Sequence, residues 1–205
     1  MKIINMFGKT ILVAFLTISI NIQGQDDQSV FEEVIVTAEK RSESLQGVSQ
    51  AVTALTSSEI EVKNINSIVD LSAIVPGVTV AKNEGYKTVI SIRGVGNETN
   101  QNAIAAPSVA YHMDGIFIAS PFALQSDFLD VERIEVLRGP QGTLFGQNST
   151  GGAINVISKK PSTEERSAKT QLTMGNYNLM KLSASSNTPI SDTIATRLAL
   201  SLIHI

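Results

Sequence analysis

Four charged side chains are spaced closely enough to act on one another, and a fifth lies well upstream. Glu132, Arg133, Glu135 and Arg138 lie in and around one short strand run at 134–137, and Arg93 is the fifth. Alternating carboxylates and guanidinium groups make ion pairs, and the planar fork of Arg matches two carboxylate oxygens at once. A solvated charged face gives the same pattern. No nucleophile–base set stands beside them, so the chemistry on offer is pairing and not catalysis. The chain has no Cys, which excludes disulfides, Cys-based zinc sites and thiol catalysis. Its two His, His112 and His204, are far apart in sequence, so no metal site is expected. Gly139, Gly142, Gly146, Gly151 and Gly152 invite a phosphate-loop reading, but the Gly-Lys-Ser/Thr ending is missing. Gly94-x-Gly96 likewise lacks the third Gly of a dinucleotide fingerprint. These glycines are expected to serve tight turns and positive φ. Net charge is −3 and no basic stripe stands out, so nucleic acid is not an expected partner.

A second kind of chemistry belongs to the backbone. Glu33, Val34, Ile35, Val36, Thr37 and Ala38 form a short β-branched run bounded by charges, a strand by propensity. It lies between polar stretches and has no obvious local partner. Such a strand can add itself to the edge of another protein's sheet, or it can be the first strand of the domain that follows.

The elements around these residues fall into distinct stretches. Lys2 and Lys9 precede an apolar run at 10–22, followed by Gln23-Gly24-Gln25 and an acidic segment. This describes a secretory signal peptide over residues 1–24, with a retained anchor as the other reading. The run falls short of the ~20 apolar residues that a membrane-spanning helix needs. Residues 25–44 form a polar segment carrying the 33–38 strand, and 45–162 read as α+β. Within the latter, Thr56-x-x-Glu59 and Ser58-x-x-Glu61 are capping-box patterns. Ile68, Leu71 and Val75 share a helical face that Pro76-Gly77 ends. Short strands are expected at 78–80, 89–92, 109–113, 134–137 and 153–157. From 166 to 205 the pattern changes to alternation. Thr170, Leu172 and Met174, then Met180, Leu182 and Ala184, then Leu198, Leu200 and Leu202 each take one face, with turns at Gly175-Asn176 and around Pro189, Ser191 and Asp192. Strands of ~10 residues, apolar on one side and polar on the other, are the pattern of a transmembrane β-barrel. A barrel in lipid cannot leave an open edge, so the chain is expected to continue beyond residue 205.

Residues 130–161, DVERIEVLRGPQGTLFGQNSTGGAINVISKKP, closely resemble the plug-domain signature of TonB-dependent outer-membrane receptors. Ser91-Ile92-Arg93-Gly94 resembles that family's IRG element, Tyr111-His112-Met113-Asp114-Gly115-Ile116 its YxDG element, and Glu33 to Ala38 its TonB box. All occur in the family's order and spacing. The resemblance implies an α+β plug domain followed by the start of an antiparallel transmembrane β-barrel of about 22 strands when complete, whose wide lumen the plug fills. It implies energy-coupled uptake of a scarce ligand, in the first instance a ferric siderophore, in the outer membrane of a Gram-negative bacterium. Cobalamin, haem or carbohydrate is the alternative cargo, and a surface adhesion module without transport is the competing function. The chain is expected to be no enzyme and to carry no cofactor, the iron or other metal belonging to the transported chelate. The implied partners are the TonB C-terminal domain at 33–38, outer-membrane lipid and the ligand itself. Arg93, Glu132, Arg133, Glu135 and Arg138 become plug–barrel contacts. The loops after the IRG and DG elements become ligand-facing apices, with Asn97, Glu98, Asn100, Gln101, Ser120 and Phe122 as candidate contacts.

Overall fold

The computed structural model describes residues 34–37, 43–83, 87–96 and 106–204. The expected signal peptide, Glu33, Ala38, Asn97, Glu98, Asn100 and Gln101 lie outside the described residues. Two short strands come first, β1 (Ile35–Val36) and β2 (Glu43–Ser44), then β3 (Ala51–Thr56), helix α1 (Ser57–Val62), a 3₁₀ turn (Ile68–Asp70) and helix α2 (Leu71–Ile74). Strands β4 (Val78–Asn83), β5 (Lys87–Ile92), β6 (Val95–Gly96), β7 (Val109–Met113) and β8 (Ile116–Phe117) follow. After a 3₁₀ turn (Ala123–Gln125) come β9 (Val131–Arg138), helix α3 (Gly142–Phe145) and β10 (Gly152–Ser158). The chain then enters β11 (Ser167–Met174), β12 (Met180–Ser191) and β13 (Ile194–His204).

The centre is a five-stranded mixed sheet in the order β3-β9-β10-β7-β8. β9 runs antiparallel to both its neighbours and β10 runs parallel to β7. Successive residues of a strand point to opposite faces, so this sheet sorts its side chains into two clusters. Leu55, Val109, Tyr111, Ile134, Val136, Ile154 and Val156 pack with Ile60, Ile68, Leu71 and Val75 into the main core. On the other face Ala110, Leu137 and Ala153 form a smaller cluster with Val36.

The local signals act as elementary chemistry requires. Thr56 caps α1: its hydroxyl accepts the Glu59 N–H, and the Glu59 carboxylate accepts the Thr56 N–H at 3.1 Å. Ser58, expected as a second cap, lies inside this helix instead. Ile68, Leu71 and Val75 are buried as expected, but on a 3₁₀ turn followed by a short helix and its end. Gly152 needs its missing side chain: φ is +147°, and a Cβ there would sit 2.3 Å from the Leu137 carbonyl oxygen. Gly142 opens α3 and has no positive φ, unlike Gly139 and Gly146, so the turn argument does not cover the whole glycine cluster.

Strands β11, β12 and β13 form a separate antiparallel sheet. Leu172 stands opposite Leu182, and Leu182 opposite Leu202, so the apolar residues of the three strands share one face. Leu172, Met174, Leu182, Leu198, Leu200 and Leu202 are all exposed. Pro189 lies within β12, opposite Ala195, and not in a turn. The register shifts between Pro189 and Ser191, and such a bulge accommodates a residue without an N–H. No helix among the described residues is long and apolar enough to cross a membrane.

Candidate functional site: the seat of the N-terminal strand and the plug–wall contacts

The 34–37 segment has a local partner, which the sequence did not make obvious. β1 pairs antiparallel with β2, Ile35 opposite Ser44 and Val36 opposite Glu43, and the Leu45 N–H donates to the Val34 carbonyl at 2.9 Å. Alternation then decides the rest. Ile35 is 53% exposed, whereas Val36 is fully buried against Ala110, Leu137 and Ala153. Val34, Leu45, Val48 and Phe117 pack around the same cluster.

Beyond Val36 the segment meets a carboxylate. The Thr37 N–H donates to Glu135 Oε1 at 2.7 Å, and the Thr37 hydroxyl lies 3.1 and 3.3 Å from its two oxygens. Glu135 is completely buried. A buried carboxylate is tolerated only when paired and hydrogen-bonded. Arg133 supplies the cation, its Nε 2.9 Å from Glu135 Oε1, and also pairs with Glu132. Asn155 Nδ2 donates to Glu135 Oε2 at 3.3 Å. Glu132, Arg133 and Glu135 are thus brought together around the strand segment. Arg138 stands apart, donating to Thr53 Oγ1 at 2.9 Å, with its Nε buried and unpartnered among the described residues. Arg93 is exposed at φ +53°, and its backbone N–H holds the Gly77 carbonyl.

The three wall strands are fastened to the α+β domain by other residues, which the sequence reading did not single out. Arg197 grips Asp130 in a two-pronged pair, Nε–Oδ2 2.5 Å and Nη2–Oδ1 2.6 Å. Lys181 meets Asp127 at 2.6 Å and Lys169 meets Glu61 at 2.5 Å. Asn187 is 1% exposed; its amide donates to the Ser162 and Glu165 carbonyls and accepts the Ser162 N–H. The signal was available: Lys169, Lys181 and Arg197 all sit on the polar parity of their strands, opposite the apolar face. A cavity of about 340 Å³ with a mixed lining lies between this inner face and the domain, bordered by Glu61, Lys169 and Ser183 as well as Ile60, Phe128 and Leu129.

At the far end of the sheet, the Tyr111-x-x-Asp114-Gly115 element proves structural. Asp114 adopts φ +51°, and its carboxylate accepts both the N–H and the hydroxyl of Ser158. Tyr111 is buried, which pushes its hydroxyl up to about 12. Ser120 and Phe122, candidate ligand contacts, are both exposed in the segment after β8, with Phe122 at 56%.

An α+β domain that seats its own N-terminal strand, followed by strands with one apolar face and a cationic face bonded to that domain, is the arrangement of a plug domain followed by the first strands of a β-barrel wall. The TonB-dependent receptor plug domain family matches residues 44–153, more than half of the chain, and the chain belongs to that family. It is 31% identical over 144 residues to the pesticin receptor of Yersinia enterocolitica, covering 69% of this chain and 20% of that protein. It is 32% identical over 143 residues to the iron-regulated outer membrane virulence protein of Vibrio cholerae, covering 66% and 21%. The crystal structure of the ferric yersiniabactin uptake receptor of Yersinia pestis superposes with a TM-score of 0.66 at 24% identity, covering 74% of this chain and 24% of that one. The chain therefore spans about a fifth of the length of these curated relatives.

Proposed function

We propose that this chain is the coupling and gating part of a receptor that takes up a scarce ligand across the outer membrane, driven through TonB. Residues 33–38 are the strand that adds to the sheet of the TonB C-terminal domain, and residues 1–24 export the chain. The observation that carries this reading is the seat itself. A two-residue strand pair with one buried side chain and one exposed is held tightly enough to be ordered and lightly enough to be withdrawn. Strand addition uses backbone hydrogen bonds, which an extended β-branched segment offers. Lipid contacts the exposed leucine face of the wall strands. Arg93 and Arg138 pair with carboxylates of wall strands that follow, a role supported by the buried Arg138 Nε, which has no partner among the described residues.

The ligand is a ferric siderophore. Support comes from the iron-regulated Vibrio cholerae relative and from the exposed apical segment with Ser120 and Phe122. The test compares uptake of labelled ferric siderophores, cobalamin, haem and oligosaccharides by the full-length receptor and by its Ile35→Pro variant. Proline removes a backbone donor from the strand. Uptake of one ferric siderophore, abolished in Ile35→Pro while surface binding persists, is the expected result. Binding without uptake by the native receptor would overturn the transport reading, and uptake of cobalamin, haem or an oligosaccharide instead would overturn the ligand.

A further inference from the structure

The cavity of about 340 Å³ between the inner face of the wall strands and the α+β domain has two unlike halves. The domain supplies an apolar floor of Ile60 on α1 with Phe128, Leu129 and Val131 at the entry to β9. Ile60 and Val131 are buried and Phe128 is half-buried against the main core. Three lysines border the space: Lys169 of β11, Lys181 of β12, and Lys159 just after β10. Two of them are already matched, Lys169 by Glu61 and Lys181 by Asp127. Asp130, which also lines the cavity, is matched by Arg197. The Lys159 side chain has no ion pair or hydrogen bond among the described residues, while its backbone N–H is fixed on the Asp130 carbonyl at 2.9 Å. The charges around the cavity therefore cancel except for one cation. Ser183 and Ser185, small residues sharing the parity of Lys169 in the wall sheet, leave the room open.

We propose that this cavity binds a small organic anion with an apolar body, at a site that does not include the apical ligand candidates: neither Ser120 nor Phe122 lines it. The volume falls in the range of small-molecule pockets, ~300–1,000 Å³. A water molecule takes ~30 Å³ of liquid, so the space suits an occupant of roughly a dozen non-hydrogen atoms, the size of an aromatic carboxylate. Its apolar body lies on Ile60, Phe128, Leu129 and Val131, where removing that surface from water is favourable. Its acidic group meets the Lys159 ammonium and the spare donors of Lys169 and Lys181, because an ammonium has three N–H groups and each of those pairs uses one. A neutral solute of the same shape leaves Lys159 without a counter-charge, and a cation is repelled by it. The occupant touches plug and wall at once, so its binding favours the arrangement in which the two are packed together. The site stands independently of the uptake reading, and its occupancy is measured without transport.

The test titrates the full-length receptor in lipid nanodiscs with 2-naphthoate by calorimetry, with empty nanodiscs subtracted to remove partition into lipid. The amide 2-naphthamide is the neutral probe of the same shape. One saturable site for the carboxylate is expected, with the amide bound at least tenfold more weakly. Lys159→Gln is expected to weaken 2-naphthoate roughly tenfold, the lower end for losing a hydrogen bond to a charged group, and to bring it level with the amide. Ser183→Leu fills the cavity from the wall side and is expected to remove binding of both probes. Lys159 makes no side-chain bond within the described residues, so its replacement leaves the packing intact and keeps the test decisive even where Ser183→Leu disturbs it. No saturable binding by the native receptor, equal affinity for carboxylate and amide, or an affinity for 2-naphthoate that Lys159→Gln leaves unchanged would overturn the inference. None of these outcomes decides whether the receptor takes up its ligand.

Discussion

The hydroxyl of Thr37 offers a direct measure of how firmly the N-terminal strand is held. Thr37→Val keeps the side-chain shape and the backbone N–H bond to Glu135 at 2.7 Å, and removes only the hydroxyl that lies 3.1 and 3.3 Å from the carboxylate. Those distances are long for an O–H donor, which places the loss at the lower end for a bond to a charged group, about 1 kcal/mol. That corresponds to roughly fivefold in the ratio of open to seated strand. Glu135→Gln is harsher. It leaves Arg133 without its buried partner and sets a new donor against the donors of Thr37 and Asn155. The expected cost is roughly 2–3 kcal/mol, or about 30- to 150-fold in the same ratio. Both are read from the modification rate of a Val36→Cys thiol under conditions where opening and closing outpace labelling. An unchanged rate in Thr37→Val would refute the claim that these bonds hold the segment. A reference thiol already reacting as fast as an exposed one would refute the seat itself.

Other consequences follow from single contacts. Gly152→Ala forces a Cβ against the Leu137 carbonyl at a strained φ, and should lower plug stability by about 2–4 kcal/mol, seen as a shifted denaturation midpoint. Thr56→Ala removes the cap of α1 and should cost about 1 kcal/mol. Partial burial pushes the Glu59 carboxyl up, but bonds from the Thr56 N–H and the Lys63 ammonium outweigh it and hold the group below its ordinary 4.5. Its contribution is therefore present above pH 4.5 and lost as the pH falls through the lowered folded value, so amide exchange of α1 should accelerate there, and less so in Thr56→Ala. Leu200→Arg places a charge on the apolar face of the wall and should cost about 2–4 kcal/mol near the bilayer midplane, measured by urea titration of the receptor refolded into vesicles.

The legible parts of this fold were those set by local pattern. The strand at 109–113 coincides with β7, the Thr56–Glu59 box caps its helix, and the alternation after 166 places every leucine of the wall on one face. What escaped depended on contacts between distant residues. The 34–37 strand was read without a partner because its partner is a two-residue strand followed by a turn, too short to carry a period of its own. Glu135 was recognised as one of a charged group with its strand neighbour Arg133, but two distant stretches, at Thr37 and Asn155, also bond it where it is buried. The Asp130–Arg197 and Asp127–Lys181 pairs join residues 67 and 54 positions apart, and only the packing of wall on plug brings them together. The parallel pairing of β10 with β7 has no local signature either, because parallel neighbours are joined by long crossovers.

The attachments of the plug are unequal, and the inequality fits the proposed uptake role, in which the domain would open under load. On one side, β9 and β10 share a ladder running from Gly152–Arg138 to Ser158–Val131, and the stretch leading to the wall is clasped by Asn187. The Asp130–Arg197 pair there is mostly shielded from water, so it resists screening by salt better than an exposed pair would. On the other side, the N-terminal strand is held by two register pairs, one backbone bond from Leu45, the Thr37 bonds and a single buried valine. Local opening takes the path of lowest free energy, and segments with few buried contacts open first. A pull applied at residues 33–38 therefore withdraws the seat before it disturbs the β9–β10 ladder. The first internal consequence of that withdrawal falls on Glu135, on β9, an interior strand flanked by β3 and β10, where a displacement meets neighbours on both sides.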